Sequence, residues 1–109
     1  MTVANFAKES GFRDICIPSP EREIVGVYIG DLLSWVMGKA EPDNAWITIM
    51  SNINIVAVST LVDISCIILA EDVVPDADAL DAARNKGVNI LSTSLSAYDA
   101  AIKLSEMLS

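Results

Sequence analysis

The sequence predicts an α/β fold, a three-layer sandwich in which helices cover both faces of a mainly parallel sheet of four to five strands. The first observation is the stretch from Asn44 to Asp72, where two apolar runs with the length of buried strands enclose an apolar segment with the length of a short helix. Such a strand-helix-strand unit builds parallel sheets, because parallel strands need a crossover connection that is usually a helix. The second observation is that similar segments continue on both sides, without a linker or an internal repeat. We therefore expect residues 1–109 to form a single domain.

The first third of the chain predicts one helix and two strands. Apolar residues at helical spacing follow Thr2, a candidate cap for a helix that Gly11 ends. A brief strand over residues 14–17 should stop at the proline-containing residues 18–20, because proline has no backbone N–H for a sheet ladder. Residues 23–29 alternate between two sides and predict a second strand.

Two central helices are predicted to be apolar on more than one side. Residues 32–39 follow Asp31, a candidate N-cap, and distribute apolar side chains around nearly the whole helix. Residues 53–61, between strands over 45–50 and 66–70, carry apolar side chains on two faces. Helices of this kind are buried on more than one side, so we expect a homodimer interface here. The candidate contact residues are Trp35, Val36, Ile55 and Val58.

The last third predicts a helix, a strand and a final helix. Asp76 is a candidate cap for a helix over residues 77–86, which Gly87 ends. Residues 88–91 have the length and composition of a short strand. Beyond Ser94, apolar residues at near-helical intervals predict the last helix.

The composition limits the classes of function. Apolar residues make up 52% of the chain and charged residues 20%, which leaves room for an apolar interface. The formal charge is -8, and the basic residues are scattered, so neither nucleic acid nor an anionic membrane is an expected partner. With no visible signal peptide and no apolar segment of bilayer length, we expect a cytoplasmic protein.

The residues that most catalytic sites require are missing. There is no histidine, which excludes Ser-His and Cys-His triads, and the glycines form neither GxGxxG nor a P-loop motif. Cys16 and Cys66 lie in apolar runs without CxxC spacing, which predicts buried, reduced thiols. We expect no enzymatic activity, no metal and no cofactor. The catalytic alternative assigns Asp31, Glu71 or Asp72 as an acid, a base or a magnesium ligand.

Polar residues follow each strand of the predicted parallel sheet. Ligands of open parallel sheets bind outside the carboxyl ends of the strands, where hydroxyls, amides and helix N-termini can hold a small polar molecule. The alternative is that Asp31, Asn52, Asp76 and Ser94 only cap helices. We call the candidate ligand site the strand-end rim; its residues are Gly30, Asp31, Ser51, Asn52, Asn54, Glu71, Asp72, Ser92 and Thr93.

Four segments of the chain resemble a known family. They are residues 27–33, Ala57-Val58 in the central helix, residues 67–70 followed by a helix at Pro75-Asp76, and residues 87–93 before the last helix. In this order, from Ile24 to Leu104, they resemble the DRTGG domain, a module similar to the N-terminal domain of bacterial HPr serine kinase/phosphatase.

The resemblance implies a regulatory accessory module that pairs with its own kind. Family members are fused to pyrophosphatases with nucleotide-sensing domains or to phosphotransacetylases, and the kinase chemistry belongs to a separate domain. The sequence departs from the family motif, since Leu32 stands where arginine is frequent and Ala70-Glu71-Asp72 where Thr-Gly-Gly is expected. Loss of those glycines removes a close approach of the backbone to a ligand, which argues against a phosphate or nucleotide pocket.

Two functional hypotheses follow. The first is a non-catalytic regulatory module that forms a homodimer and modulates or scaffolds a protein partner in metabolism. The alternative is a small-molecule sensor that binds an adenine nucleotide or an anionic metabolite at the strand-end rim. The net negative charge opposes a polyanion unless magnesium or helix dipoles compensate for it.

Overall fold

The computed structural model describes all 109 residues and arranges ten elements around one sheet. The elements are α1 (Val3–Ser10), β1 (Arg13–Cys16), β2 (Gly26–Ile29), α2 (Leu33–Lys39), β3 (Asn44–Thr48), α3 (Asn54–Val62), β4 (Cys66–Leu69), α4 (Ala77–Lys86), β5 (Ile90–Ser92) and α5 (Ala97–Leu108). The strand order is β1-β5-β4-β3-β2; all neighbours are parallel except β1, which is antiparallel to β5. The predicted three-layer sandwich with a mainly parallel sheet is confirmed.

Helices cover both faces of the sheet and divide the core into two clusters. On one face α2, α3 and α4 bury Val36, Ile55 and Ala79 against side chains of the strands, among them Trp46. On the other face α1 and α5 bury Phe6 and Leu104 against the opposite side chains of the same strands. The central strands are buried on both faces, and their sequences are therefore continuously apolar rather than alternating.

The predicted ends of α1 and α4 are confirmed. Thr2 caps α1, and its Oγ1 accepts a hydrogen bond from the backbone N–H of Asn5 at 3.1 Å. Gly11 and Gly87 follow α1 and α4 with φ of 79° and 73°. These are left-handed conformations that glycine adopts without steric penalty, which is why both helices end there.

The last helix begins later than the position of Ser94 suggests. The N-cap of α5 is Ser96, whose Oγ accepts from the N–H of Asp99 at 3.1 Å. The carbonyl of Leu95 instead accepts from the N–H of Glu71 at 2.9 Å. This long-range bond holds residues 94–95 outside the helix, so Ser94 as a cap was wrong.

The second strand is shorter than residues 23–29. The N–H of Ile24 donates to the carbonyl of Met1 at 2.9 Å, and Thr2 forms an antiparallel bridge with Glu23. The residues before β2 thus pair with the N-terminal segment, and the parallel ladder with β3 begins at Gly26.

Three of the four predicted dimer contacts lie inside the protomer. Val36 and Ile55 are 0% exposed and Val58 is 5% exposed, because α2 and α4 pack against the two sides of α3 and all three helices lie on the sheet. The apolar circumference of these helices is thus satisfied within one chain, and the assignment of these three residues to a dimer interface is corrected. Trp35 is different, since its side chain is 59% exposed.

None of the five helices has both the length and the apolar character that crossing a bilayer requires.

Candidate functional site at the carboxyl ends of the strands

The carboxyl ends of β2, β3, β4 and β5 lie along one edge of the sheet, because the four strands are parallel. The segments that form the strand-end rim are therefore brought to one side of the molecule, as their positions after the strands predicted. Neighbouring strands are about 4.8 Å apart, so the ends of β2 and β5 are separated by roughly 14 Å. The rim thus has two halves with separate hydrogen-bond networks.

Asp31 organises the half of the rim at β2 and β3. Its Oδ1 accepts hydrogen bonds from Oγ1 of Thr48 at 2.8 Å and from the N–H of Ile49 at 3.0 Å. The N-cap of α2 is Leu32, without a side-chain cap, so Asp31 as the cap of this helix was wrong. Asp31 instead fastens the end of β2 to the end of β3.

The backbone at Gly30 is fixed by the core. Its carbonyl accepts a hydrogen bond from Nε1 of Trp46 at 2.8 Å, and a Cβ at Gly30 would come within 3.0 Å of the Tyr28 ring. Trp46 is fully buried, as its place in a central strand predicted. The one polar atom of this indole is thus satisfied by the rim.

Arg13 organises the half of the rim at β4 and β5. Its Nε donates to Oγ of Ser92 at 3.0 Å, and its Nη2 pairs with the carboxylate of Asp72. Arg13 reaches the rim because β1 is antiparallel to β5, with Arg13 opposite Ser92. Sequence reasoning missed Arg13, since no local signal gives the direction of an edge strand.

A left-handed turn follows β4. Glu71 and Asp72 have φ of 59° and 60°, in a region of the backbone map that residues other than glycine rarely adopt. Their N–H groups donate to the carbonyls of Leu95 and Thr93, each at 2.9 Å, and these bonds hold the turn. The turn lies where the resemblance to the DRTGG motif would place two glycines, and this chain has left-handed backbone there with two acidic residues.

Ser92 and Thr93 serve the protein itself. Both are buried; Oγ of Ser92 accepts from Arg13, and Oγ1 of Thr93 accepts from the N–H of Leu95 at 3.2 Å. Their hydroxyl oxygens therefore shape the β5 end of the rim, with little surface for a ligand.

The loop after β3 is likewise bonded internally. The carbonyl of Ser51 accepts from the N–H of Asp76 at 2.9 Å, and Oδ1 of Asn52 accepts from the N–H of Asn54 at 2.9 Å. The N-cap of α3 is Ile53, without a side-chain cap, so Asn52 closes a turn just before the helix and Asn52 as the cap of α3 was wrong. Asp76 occupies the N-cap position of α4, as predicted, but its side chain makes no capping hydrogen bond.

The rim is an open surface, and the two cavities of the structure are lined mainly by other residues. A cavity of about 380 Å³ lies beside α1 and β1, and one of about 260 Å³ lies between α3 and α4. Among the rim residues, only Asn54 lines either of them. No three acidic or thiol side chains are placed to hold a metal ion.

The titratable groups with shifted pKa values lie in the core or at the other end of the sheet. Burial raises the pKa of Cys66 to about 12 and also raises the pKa of Cys16. Both thiols are buried and free, as predicted. Partial burial opposes the charge of Arg22, but its hydrogen bond to Asp43 and the nearby carboxylate of Asp63 outweigh burial and raise its pKa.

No family model matches the sequence, and no curated protein does. A solved structure is similar: the CBS and DRTGG domains of the regulatory region of Clostridium perfringens pyrophosphatase, complexed with the activator diadenosine tetraphosphate. The TM-score is 0.73 at 12% sequence identity, and the match covers 94% of this chain and 45% of that one. The fold is DRTGG-like. This chain spans less than half the length of the regulatory region, and the resemblance to the HPr kinase domain stays a prediction.

Proposed function

We propose that this DRTGG-like chain is a non-catalytic regulatory module that forms a homodimer and modulates or scaffolds a metabolic protein partner in the cytoplasm. The observation that carries the proposal is the apolar surface of α2 and the residue before it. Leu32, Trp35 and Met37 are all exposed, and the ammonium of Lys39 lies 4.9 Å from the centroid of the Trp35 ring. The similar pyrophosphatase structure, a regulatory region, supports the regulatory role.

Single exposed apolar residues are ordinary, but clusters of them are typical of interfaces. Here three large apolar side chains are exposed within one short segment, while Leu33 and Val36 of the same helix face the core. Tryptophan is among the residues that contribute most to association when buried in an interface. We therefore assign α2 to the homodimer, with Trp35 as its central contact.

Replacing Trp35 with glutamate tests this assignment. We expect Trp35→Glu to weaken the dimer by about 2 kcal/mol or more, because a charge replaces a large apolar contact on both subunits. The mass measured by light scattering across a concentration series should fall to that of the monomer, with an unchanged circular dichroism spectrum. Trp35→Phe, the control, should stay largely dimeric. A wild-type chain that is monomeric at every concentration would contradict the homodimer.

The second candidate is a sensor of an adenine nucleotide or anionic metabolite at the strand-end rim. Arg13 favours it, because its guanidinium carries five N–H donors, of which the bonds to Ser92 and Asp72 leave several free. The Arg13 side chain is 55% exposed at the rim, and guanidinium groups suit phosphate and carboxylate oxygens. The activator bound in the pyrophosphatase structure is a dinucleotide, which supports this ligand class.

A further inference from the structure

The larger of the two cavities is lined by side chains of both charges. It has a volume of about 380 Å³ and lies between α1, β1 and the connection that follows β1; its lining residues are Ala4, Ala7, Lys8, Asp14, Ile17 and Pro20. This volume is at the lower end of the range of about 300–1,000 Å³ that is typical of small-molecule sites. The cavity shares no residue with the strand-end rim or with the exposed apolar segment at α2, so no function has yet been assigned to it.

The walls of the cavity are held in place by hydrogen bonds between distant segments. The carbonyl of Pro20 accepts from the N–H of Ala4 at 3.1 Å, which attaches the connection after β1 to the first turn of α1. On the other side of this connection, the N–H of Ser19 donates to Oδ1 of the buried Asn89 at 2.9 Å. The cavity is therefore largely formed before any ligand binds, as small-molecule sites usually are.

One face of α1 leaves the space that the cavity occupies. Ala4, Ala7 and Lys8 share this face, because they are three and four residues apart on a helix. The two alanines have small side chains, so they leave room beside the helix. Ile17 provides a larger apolar surface on the opposite wall, where it also packs against the core. The wall of the cavity is thus mainly apolar, with an ammonium and a carboxylate group added.

The two charged groups of the cavity have no partner within the protein. The four ion pairs of the structure involve neither Lys8 nor Asp14. The ammonium of Lys8 and the carboxylate of Asp14 are therefore too far apart to pair with each other, although they line the same cavity. A sphere of the same volume has a diameter of about 9 Å, which leaves room for a small ligand with hydrogen bonds of about 3 Å to each group.

We propose that this cavity binds a free apolar α-amino acid as its zwitterion. The carboxylate of the ligand pairs with Lys8, its ammonium pairs with Asp14, and its side chain lies against Ala4, Ala7 and Ile17. The inference adds a small-molecule signal to the regulatory module, and it depends on neither the homodimer nor the rim.

The charges of the cavity favour a zwitterion over ligands with a single charge. A simple carboxylic acid would be attracted by Lys8 but repelled by Asp14, and a simple amine would meet the reverse. A zwitterion complements both groups. It also has no net charge, so the net charge of -8 does not repel it as it repels an anion.

A titration of the ¹⁵N-labelled full chain with L-leucine, followed by ¹H–¹⁵N NMR spectra, tests the proposal. We expect a dissociation constant in the millimolar range, because the contacts are two exposed ion pairs and a small apolar surface. The amide shifts should change in residues 4–8 and 14–20. The matched ligands are 4-methylpentanoate, which lacks the ammonium of leucine, and isopentylamine, which lacks its carboxylate. Each should bind about three- to fivefold more weakly than leucine.

Substitutions in the cavity assign the two charges of the ligand. Asp14→Asn should weaken leucine about three- to fivefold and remove its advantage over 4-methylpentanoate, and Lys8→Met should do the same relative to isopentylamine. Ala4→Leu should abolish binding by filling the cavity. The controls are Glu9→Gln and Asn5→Leu, at exposed positions of α1 outside the cavity, which should leave binding unchanged.

Three outcomes would overturn the proposal. The first is the absence of shift changes with L-leucine, L-valine and L-phenylalanine, and the second is leucine binding that Ala4→Leu does not affect. The third is equal affinity for leucine and 4-methylpentanoate, which would show a site for carboxylates alone. The spectrum of each variant without ligand verifies its fold. The homodimer is tested separately by the mass of the wild type and of Trp35→Glu, so either proposal can fail without the other.

Discussion

At the scale of single residues, the turn after β4 has left-handed backbone at two residues that are not glycine. Glu71 and Asp72 are in the left-handed region, where a residue with a Cβ atom has a conformational free energy roughly 1–2 kcal/mol higher than in the right-handed region. The bonds from Glu71 to Leu95 and from Asp72 to Thr93, and the Arg13 ion pair, hold them there. The turn therefore presents two acidic side chains at the rim on left-handed backbone that these bonds hold in place.

Glycine at position 71 should relieve the strain of this turn. We expect Glu71→Gly to raise the free energy of unfolding by up to about 1 kcal/mol, because relief of the left-handed penalty exceeds the entropy that glycine gains in the unfolded chain. Glu71→Val should lower it by about 1–2 kcal/mol, since a β-branched side chain fits this region worst. Urea denaturation measures both changes. Glu106→Gly in α5 is the matched control and should lower stability by about 1 kcal/mol.

At the scale of elements, a buried asparagine joins the connection after β1 to the strands beside it. Asn89 is 1% exposed; its Oδ1 accepts from the N–H of Ser19 at 2.9 Å, and its Nδ2 donates to the carbonyls of Ser19 and Ser65 at 2.8 and 3.1 Å. Oγ of Ser19 also donates to the carbonyl of Gly87 at 2.8 Å. The proline-containing loop 18–20 is thereby fastened to the amino ends of β4 and β5.

Removing this side chain should leave backbone groups unpaired in the core. We expect Asn89→Ala to lower the free energy of unfolding by about 3 kcal/mol, since each buried unpaired group costs about 1–3 kcal/mol. The measurement is urea denaturation against Asn85→Ala, at an exposed site in α4, where alanine should be neutral or slightly stabilising. An equal effect of the two substitutions would show that Asn89 does not hold the loop.

Local patterns predicted the elements, whereas their ends and directions depended on distant residues. The apolar periodicity of α3, β3 and β4 is a property of a few consecutive residues, and it fixed their type and order. The start of β2 depends on Met1, and the start of α5 depends on Glu71. The same distinction applies to the rim: parallel strands place its residues on one edge, but the partner of Asp72 is Arg13, 59 residues away in sequence.

At the scale of the whole molecule, the burial of Val36, Ile55 and Val58 restricts the proposed interface to the exposed apolar side chains of α2 and the residue before it. The helix layer is complete within one chain, since α3 is covered by α2 and α4 on either side. On the face covered by α2, α3 and α4, the one short segment with three exposed large apolar side chains is that of Leu32, Trp35 and Met37. A homodimer formed through α2 would leave the rim residues at β4 and β5 accessible, because these strands are farther in the sheet from β2, which α2 follows.

The charge of the whole molecule also sets the conditions under which the rim can bind an anion. The net charge of -8 repels an anion at long range, and magnesium or salt weakens this repulsion. At the rim itself, binding of the anion must depend on the positive charge of Arg13.

If the chain is a sensor, thermal unfolding with adenine nucleotides and magnesium should show stabilisation of about 2.7 kcal/mol when one nucleotide is present at about 100 times its Kd. Arg13→Met should abolish this response, and Lys8→Met, which removes an exposed positive charge on α1, should preserve it. A panel in which no nucleotide raises the unfolding temperature contradicts the sensor for this ligand class and leaves the homodimer untouched, because the exposed apolar side chains of α2 require no ligand.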